Sequence, residues 1–446
     1  MATEFQPATN VDEAYQACHP EIPLEAGDPR YVDLTPVRGH HNFVETIARR
    51  IRRSPAPLYH KQLITGHRGC GKSTELKQLA ARLREQKFFV VYVDIESTMD
   101  LGDLNYLDVL VALAKGISEE MNAHKIPVTR ALLENLDAWF AEKILKEEEK
   151  EDIETVLQTE FSVRPEIPLL TRMLAAFSGQ IRSGSTRKIE IRRELEKELT
   201  VFISRLNELI DDAQIQLQKK GWHGLVAIVD GLEKMHYRIQ PDGQSTHSEL
   251  FVQHAEQLKS PHCHILYTVP ISLLFNVNLG DSFAETDVIP MVKIQERGNK
   301  KDYKPGMDAL YEVVAKRVEV EAIFEHPKDV KRLIQASGGS IRDLMRLLRF
   351  ACDETDTKIN LRHVQHAIQR LVREYDRLVR DEDLDGLRQI AATQQIPGDE
   401  TSGRLLHHRL VLEYVNDDRW ADLHPAVREC PRVKKALKSP KVHRSK

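Results

Sequence analysis

Residues Gly66-His-Arg-Gly-Cys-Gly-Lys-Ser-Thr74 carry the clearest chemistry in the chain, because they fit the pattern GxxxxGK[ST]. Gly66, Gly69 and Gly71 permit backbone angles that turn successive amide N–H groups toward one anion. His67, Arg68 and Cys70 fill the places between them, and Thr74 closes the pattern. A helix is expected to begin at Lys72, so its N-terminal partial charge adds to the pull on phosphate. The Lys72 ammonium is spaced to reach β- and γ-phosphate oxygens, and the Ser73 hydroxyl to ligate Mg²⁺. The loop is that of a nucleotide site. Cys70 is either a small filler or a redox-active thiol.

A phosphate cradle needs a carboxylate to hold the Mg²⁺ shell. The run Leu225-Val-Ala-Ile-Val-Asp230 supplies one, five apolar residues and then an acid at the carboxyl end of a strand. Ligands of open α/β sheets bind at that end, so Asp230 is assigned to Mg²⁺. Glu233, three residues on, is placed to orient an attacking water, or else is a surface glutamate. Thr268 closes the next apolar run, 264–268. A hydroxyl there fits a contact with the γ-phosphate or the water, and fits equally a β-branched strand residue.

These residues have to be held by alternating strands and helices. Strands are expected at residues 58–65, 88–95, 224–230, 264–269 and 287–294, with helices over 41–53, 72–85 and 104–121. The strand at 88–95 is apolar nearly throughout, as central parallel strands are. A mostly helical stretch fills about 120–220. Within it Ile191, Leu195, Leu199, Phe202, Leu206, Leu209, Ala213 and Leu217 form one stripe, predicting a single helix of about thirty residues. The acidic run 146–152 reads as a solvated face. Beyond Pro305 the pattern is helical to about 380, and residues 406–423 read as a hairpin turned at 416–418. Residues 1–30 read as weakly ordered.

The composition narrows the classes. The 446 residues allow about three domains. Apolar residues at 41% exclude a disordered chain. The 64 basic and 68 acidic residues give a net charge of −4, which argues against a wholly basic nucleic-acid coat protein but leaves room for a local patch. One such patch is the acid-free tail from Arg432 to the end. Five scattered cysteines without a CxxC pair suit a reducing compartment. The first thirty residues lack an apolar core, so no signal peptide is expected, and the apolar runs are strand-sized. A cytoplasmic location is the expectation. His262 and His264 share a strand face, but two histidines fall short of a four-ligand zinc site.

Taken together, the loop, the Val229-Asp230-Gly-Leu-Glu233 segment and Tyr267-Thr268 resemble the AAA+ and STAND branch of P-loop ATPases. Val37-Arg-Gly-His-His-Asn-Phe43 looks like the box whose backbone lines the adenine pocket there, which implies base contacts at Val37 and Arg38. Ser337-Gly-Gly-Ser-Ile-Arg342 resembles the GxxR helix of AAA+ lids, which implies that Arg342 contacts the γ-phosphate. Leu423-His424-Pro-Ala-Val-Arg428 is similar to the histidine stretch of STAND winged helices, which implies that His424 touches the β-phosphate of ADP. Ring-forming relatives carry an arginine finger near the first-sensor strand. Residues 271–286 contain no arginine, leaving Arg297, or Arg192 and Arg193, as substitutes.

The resemblance implies an α/β P-loop NTPase parallel sheet with a helical insertion, then an α-helical lid and a winged-helix domain. The expected division is an arm at 1–30, a P-loop ATPase domain at 31–304 with its insertion at about 120–220, a lid at 305–380, a winged helix at 381–430 and a basic tail at 431–446. The implied cofactors are ATP or ADP with Mg²⁺. The implied activity is a slow, regulatory ATPase that acts as a switch for a partner protein or effector supplied in trans. A bacterial defence system is one setting, and homo-oligomerisation is compatible. The alternative is a DNA-binding ATPase of the origin-recognition or transposition-regulator type, using the winged helix and the tail.

Overall fold

A computed structural model describes residues 5–39, 42–144, 172, 174–175, 186–240, 244–415 and 418–438. The acidic run 146–152, residues 40–41, the turn residues 416–417 and the tail beyond 438 lie outside the described residues.

Five strands make one parallel sheet in the order β2-β3-β4-β1-β5. They are β1 (Lys61–Thr65), β2 (Phe88–Asp94), β3 (Gly224–Asp230), β4 (His264–Thr268) and β5 (Glu285–Val288). The register aligns Asp94 with Asp230 and Ile64 with Thr268, so the acids and the threonine gather at one edge. Parallel strands need long crossovers, and these cover both faces with helices, which is why β2 and β3 are apolar nearly throughout. Side chains alternate across the sheet. Phe89, Val91 and Val93 pack with helices Tyr106–Ala123 and Leu199–Lys219 on one face. Phe88 and Val90 pack with helices Phe43–Arg53 and Lys72–Glu85 on the other.

Beyond the sheet, helices Lys304–Ala315, Lys328–Ser337, Ile341–Cys352 and Leu361–Leu378 form a second apolar body. Helices Leu384–Thr393 and Glu400–His407 follow, then the antiparallel pair β6 (Val411–Val415) and β7 (Arg419–Leu423). Leu412, Tyr414 and Trp420 of this hairpin are buried in the apolar cluster of the sheet domain, and the Tyr414 hydroxyl donates to the Gly338 carbonyl at the end of helix Lys328–Ser337.

Three expectations are corrected. The stripe at 191–217 belongs to two helices, Thr186–Lys197 and Leu199–Lys219, interrupted at Glu198 (φ −114°, ψ 31°). The arm is ordered where described: helix Val11–Ala17 buries Val11 and Ala14 among the helices of the second body, and Asn10 caps it by accepting from Glu13 N. The tail begins as helix Pro431–Lys438, with Val433 and Ala436 buried and Arg432 bonded to the carbonyls of Asp376 and Val379. Basic residues there anchor the chain as well as face water. Among the described residues, no helix is long and apolar enough to cross a membrane.

Candidate nucleotide site

The loop between β1 and helix Lys72–Glu85 takes up the backbone its glycines permit. Gly66, Gly69 and Gly71 have φ of +149°, +89° and +98°. A Cβ at Gly69 would stand 2.5 Å from Cβ of Arg342, so that position must also stay bare for the two segments to touch. Arg342 N donates to the Gly69 carbonyl at 3.2 Å. The loop and the Arg342 helix are therefore joined by backbone as well as by side chains.

Lys72 is 4% exposed, and a buried ammonium needs partners. Its Nζ donates to the carbonyls of Gly66 (2.9 Å) and His67 (3.1 Å) and lies 3.4 Å from Oε1 of Glu233. Asp230 Oδ2 accepts from the Tyr92 hydroxyl at 2.7 Å, and the Ser73 hydroxyl is a hydrogen-bond neighbour of the same carboxyl. Burial and the adjoining Glu233 charge push the Asp230 carboxyl up, partly opposed by Ser73, Tyr92 and Lys72. Burial would raise Glu233 too, but Lys72 and the Thr268 hydroxyl hold it low. The two acids thus differ in environment, Asp230 short of positive charge and Glu233 well supplied with it.

A cleft of about 330 Å³ opens over this cluster. Its polar end is lined by Arg68, Gly69, Gly71, Lys72, Ser73, Thr74, Asp230, Glu233 and Arg342. Its apolar end is lined by Leu24, Val32, Leu34, Val313, Ile341 and Met345. Burial, Arg342 and Arg409 lower Arg68. Among the described residues, no carboxylate forms an ion pair with Arg68, so its charge is available to an anion. Oε2 of Glu233 is buried with no hydrogen-bond partner. An orphaned carboxylate oxygen beside a second acid, a hydroxyl and a row of amides fits a hydrated divalent cation with a phosphate chain.

Several expected residues stand elsewhere. Val37 and Arg38 do not line this cleft. Arg38 is buried behind the loop, where its terminal nitrogens bond the Cys70 carbonyl and reach Glu75 at 3.2 Å, while its Nε has no hydrogen-bond partner among the described residues. Tyr31, Val32 and Leu34 reach the cleft in their place. Thr268 is 1% exposed and lies outside the cleft lining; its hydroxyl accepts from Leu232 N at 3.1 Å and helps to hold the Glu233 carboxyl low. Gly66, His67 and Cys70 sit behind the lining. Burial, Lys72 and Arg409 push His67 down to about 3, so it is neutral, and its Nε2 accepts from Glu413 N of β6 at 2.8 Å. That bond ties the hairpin to the phosphate loop.

His424 is fully buried and does not line the cleft. Its ring stacks on Tyr375 at 4.3 Å, Nδ1 accepts from Ala426 N at 3.0 Å, and Nε2 lies 3.5 Å from Asp343 Oδ2. Asp343 also accepts from the Tyr375 hydroxyl (2.9 Å) and from Arg346 (2.8 Å), and lies 3.4 Å from Arg409. Burial alone would raise this carboxyl, yet Arg409, His424 and Arg346 hold it well below the usual range. His424 reaches the cleft only through Asp343 and its neighbour Arg342.

The sequence reading missed Tyr92, Asp94 and Glu21. Asp94 ends an apolar strand just as Asp230 does, so the same signal was present for it. Tyr92 gave no signal apart from standing two residues before that acid. Among the substitutes considered for an arginine finger, Arg192 is held by Asp103 (2.8 Å) and the buried Asp108, and Arg297 lies 3.8 Å from Asp418.

No family model matches the sequence, and no curated protein matches it. Among solved structures the chain is similar to Drosophila ORC bound to DNA, with a TM-score of 0.40 and 11% identity over 98% of this chain and 94% of that one. It is similar to a Walker-type ATPase of Pyrococcus abyssi, with a TM-score of 0.39 and 15% identity over 90% and 98%. It is similar to Thermotoga maritima RuvB, with a TM-score of 0.37 and 13% identity over 92% and 99%. Its own five-stranded parallel sheet, with the glycine-rich loop leaving β1 toward a helix, is the α/β architecture of P-loop NTPases.

Proposed function

We propose that the chain is a magnesium-dependent ATPase of the AAA+ or STAND kind, turning over slowly and serving as a switch for a partner protein. The observation that carries the reading is the convergence of Lys72, Ser73, Asp230, Glu233 and Arg342 on one cleft. Lys72, Arg68 and the loop amides would bind the phosphates, and Ser73 with Asp230 would hold Mg²⁺. The bound metal would neutralise phosphate charge. Glu233, held low by Lys72 and Thr268, would take the proton of an attacking water. The apolar end at Val32, Leu34, Val313 and Met345 suits a base, adenine by resemblance.

The switch reading draws support from connectivity. Arg342 touches the loop on one side, while its neighbour Asp343 meets His424, Arg409 and Tyr375 on the other. Differential contacts of Arg342 with the two nucleotide states would reach the hairpin through Asp343 and His424. The test is to identify the nucleotide retained by the purified chain and the proteins that accompany it. Retained ADP or ATP with a stoichiometric partner supports the switch. A chain without nucleotide that releases no phosphate from ATP contradicts it.

The second reading, a DNA-binding ATPase, would use the helix-and-hairpin unit and the basic C-terminal helix. One face of the hairpin is already spent on the sheet domain through Leu412, Tyr414 and Trp420, which favours the partner switch. Submicromolar duplex binding that strengthens steeply as salt falls would reverse that preference.

A further inference from the structure

The arm bridges two bodies across the mouth of the cleft. Upstream, Ala8 is fixed to the strip at Arg317–Glu319, donating to Arg317 O at 2.9 Å and accepting from Glu319 N at 2.8 Å. Tyr15 lies 3.9 Å beneath the Arg349 guanidinium, on the helix that carries Arg342. Downstream, Leu24 N donates to Thr74 Oγ1 at 3.2 Å, and Glu25 pairs with Lys77, both on the helix that follows the phosphate loop. Residues 19–24 line the cleft between these two anchorages. Midway along them Glu21 forms an ion pair with Arg342.

We propose that Glu21 is a specificity-determining residue that competes with the terminal phosphate of a nucleoside triphosphate for Arg342. The inference rests on the nucleotide reading above and adds to it. The backbone of Arg342 is pinned to Gly69, so its guanidinium can serve only sites within one side-chain length of the loop. Glu21 occupies one of them. A diphosphate, which ends at the β-phosphate near Lys72, leaves the Glu21–Arg342 pair in place. A triphosphate brings further negative charge into the same space. It repels the Glu21 carboxylate and offers Arg342 a bidentate acceptor of higher charge. The exchange frees the middle of the strap while both of its anchorages hold. The arm therefore reads the third phosphate, and its altered position is the signal available to a partner.

By linkage, a contact that exists only without the third phosphate must weaken triphosphate binding. The pair is part-exposed, with side-chain accessibilities of 20% and 53%. Its removal is accordingly worth roughly a two- to five-fold change in affinity. Dissociation constants for ADP and for a non-hydrolysable triphosphate analogue, both with Mg²⁺, provide the test in the full chain. Glu21→Gln should tighten the triphosphate by roughly that factor and leave ADP unchanged, and the gain should vanish in an Arg342→Ala background. An equal shift for both nucleotides, no shift, or a gain that persists without Arg342 overturns the proposal. A wild-type chain that binds neither nucleotide, or binds both regardless of Lys72→Ala, overturns the nucleotide reading itself and this inference with it.

Discussion

The Lys72 ammonium lies 3.4 Å from the Glu233 carboxylate while still bonded to two carbonyls of its own loop. On the proposed reading, the charge that would meet phosphate rests here on the acid that would handle the water. Loading the cleft would then draw Lys72 onto phosphate and leave Glu233 free to accept a proton. Glu233→Gln should then keep ATP affinity within a few-fold and slow phosphate release by about 10²–10⁴. Single-turnover phosphate release checks this, and an unchanged rate would assign the water to another group.

Asp230 is the acid short of positive charge, held by Tyr92 and Ser73. On the proposed reading, a divalent cation would supply that charge. Asp230→Asn should spare ADP binding and remove most of its dependence on Mg²⁺. Titration of ADP with Mg²⁺ or with chelator measures the difference. A variant still tuned by Mg²⁺ would place the metal elsewhere.

Asp343 is fully buried among Arg346, Arg409, Tyr375 and His424. Removing one member of a buried charge cluster strands the others. Asp343→Ala should cost about 3–5 kcal/mol of unfolding free energy, read from denaturant midpoints. A loss below about 1 kcal/mol would mean that the cluster does not join helices to hairpin.

Acid should loosen the hairpin. His67 is pushed down to about 3 by burial, Lys72 and Arg409, from the usual 6.5. As pH falls through 6.5 the unfolded chain takes up the proton first, so stability is complete above that value and declines toward pH 3. The buried His264, at about 3, and His247, at about 4, add the same sign. Unfolding midpoints should therefore be lower at pH 5.5 than at pH 7.5. His67→Gln should flatten the slope by up to about one proton, or about 1.4 kcal/mol per pH unit. An identical slope would show that His67 is not buried as a neutral ring.

The residues that the sequence marks well are those whose chemistry and neighbourhood coincide. Asp230 ends an apolar run, because a strand must deliver it to the sheet edge, and Lys72 follows the glycine-rich loop that leaves β1. Glu198 carries no such mark: Leu195, Leu199 and Phe202 keep helical spacing across it, so the break between the two helices leaves the pattern intact. The arm also escaped notice. Its helix is short, its polar and proline residues resemble a tail, and its order comes from contacts with positions more than 300 residues away, such as Glu21 with Arg342. Arg38 and His424 belong to motif-like strings, yet both are buried against protein, Arg38 on Glu75 and His424 on Tyr375 and Asp343, and no pattern in the sequence reports which side of a loop a side chain will occupy.

The most direct measurement is the dissociation constant of ATP, with Mg²⁺, for the wild-type chain and for Lys72→Ala. Loss of a charged hydrogen-bonding group should weaken binding by about 10- to 100-fold or more. Equal affinities for the two proteins, or a wild type that binds no ATP at all, would contradict the account at its base.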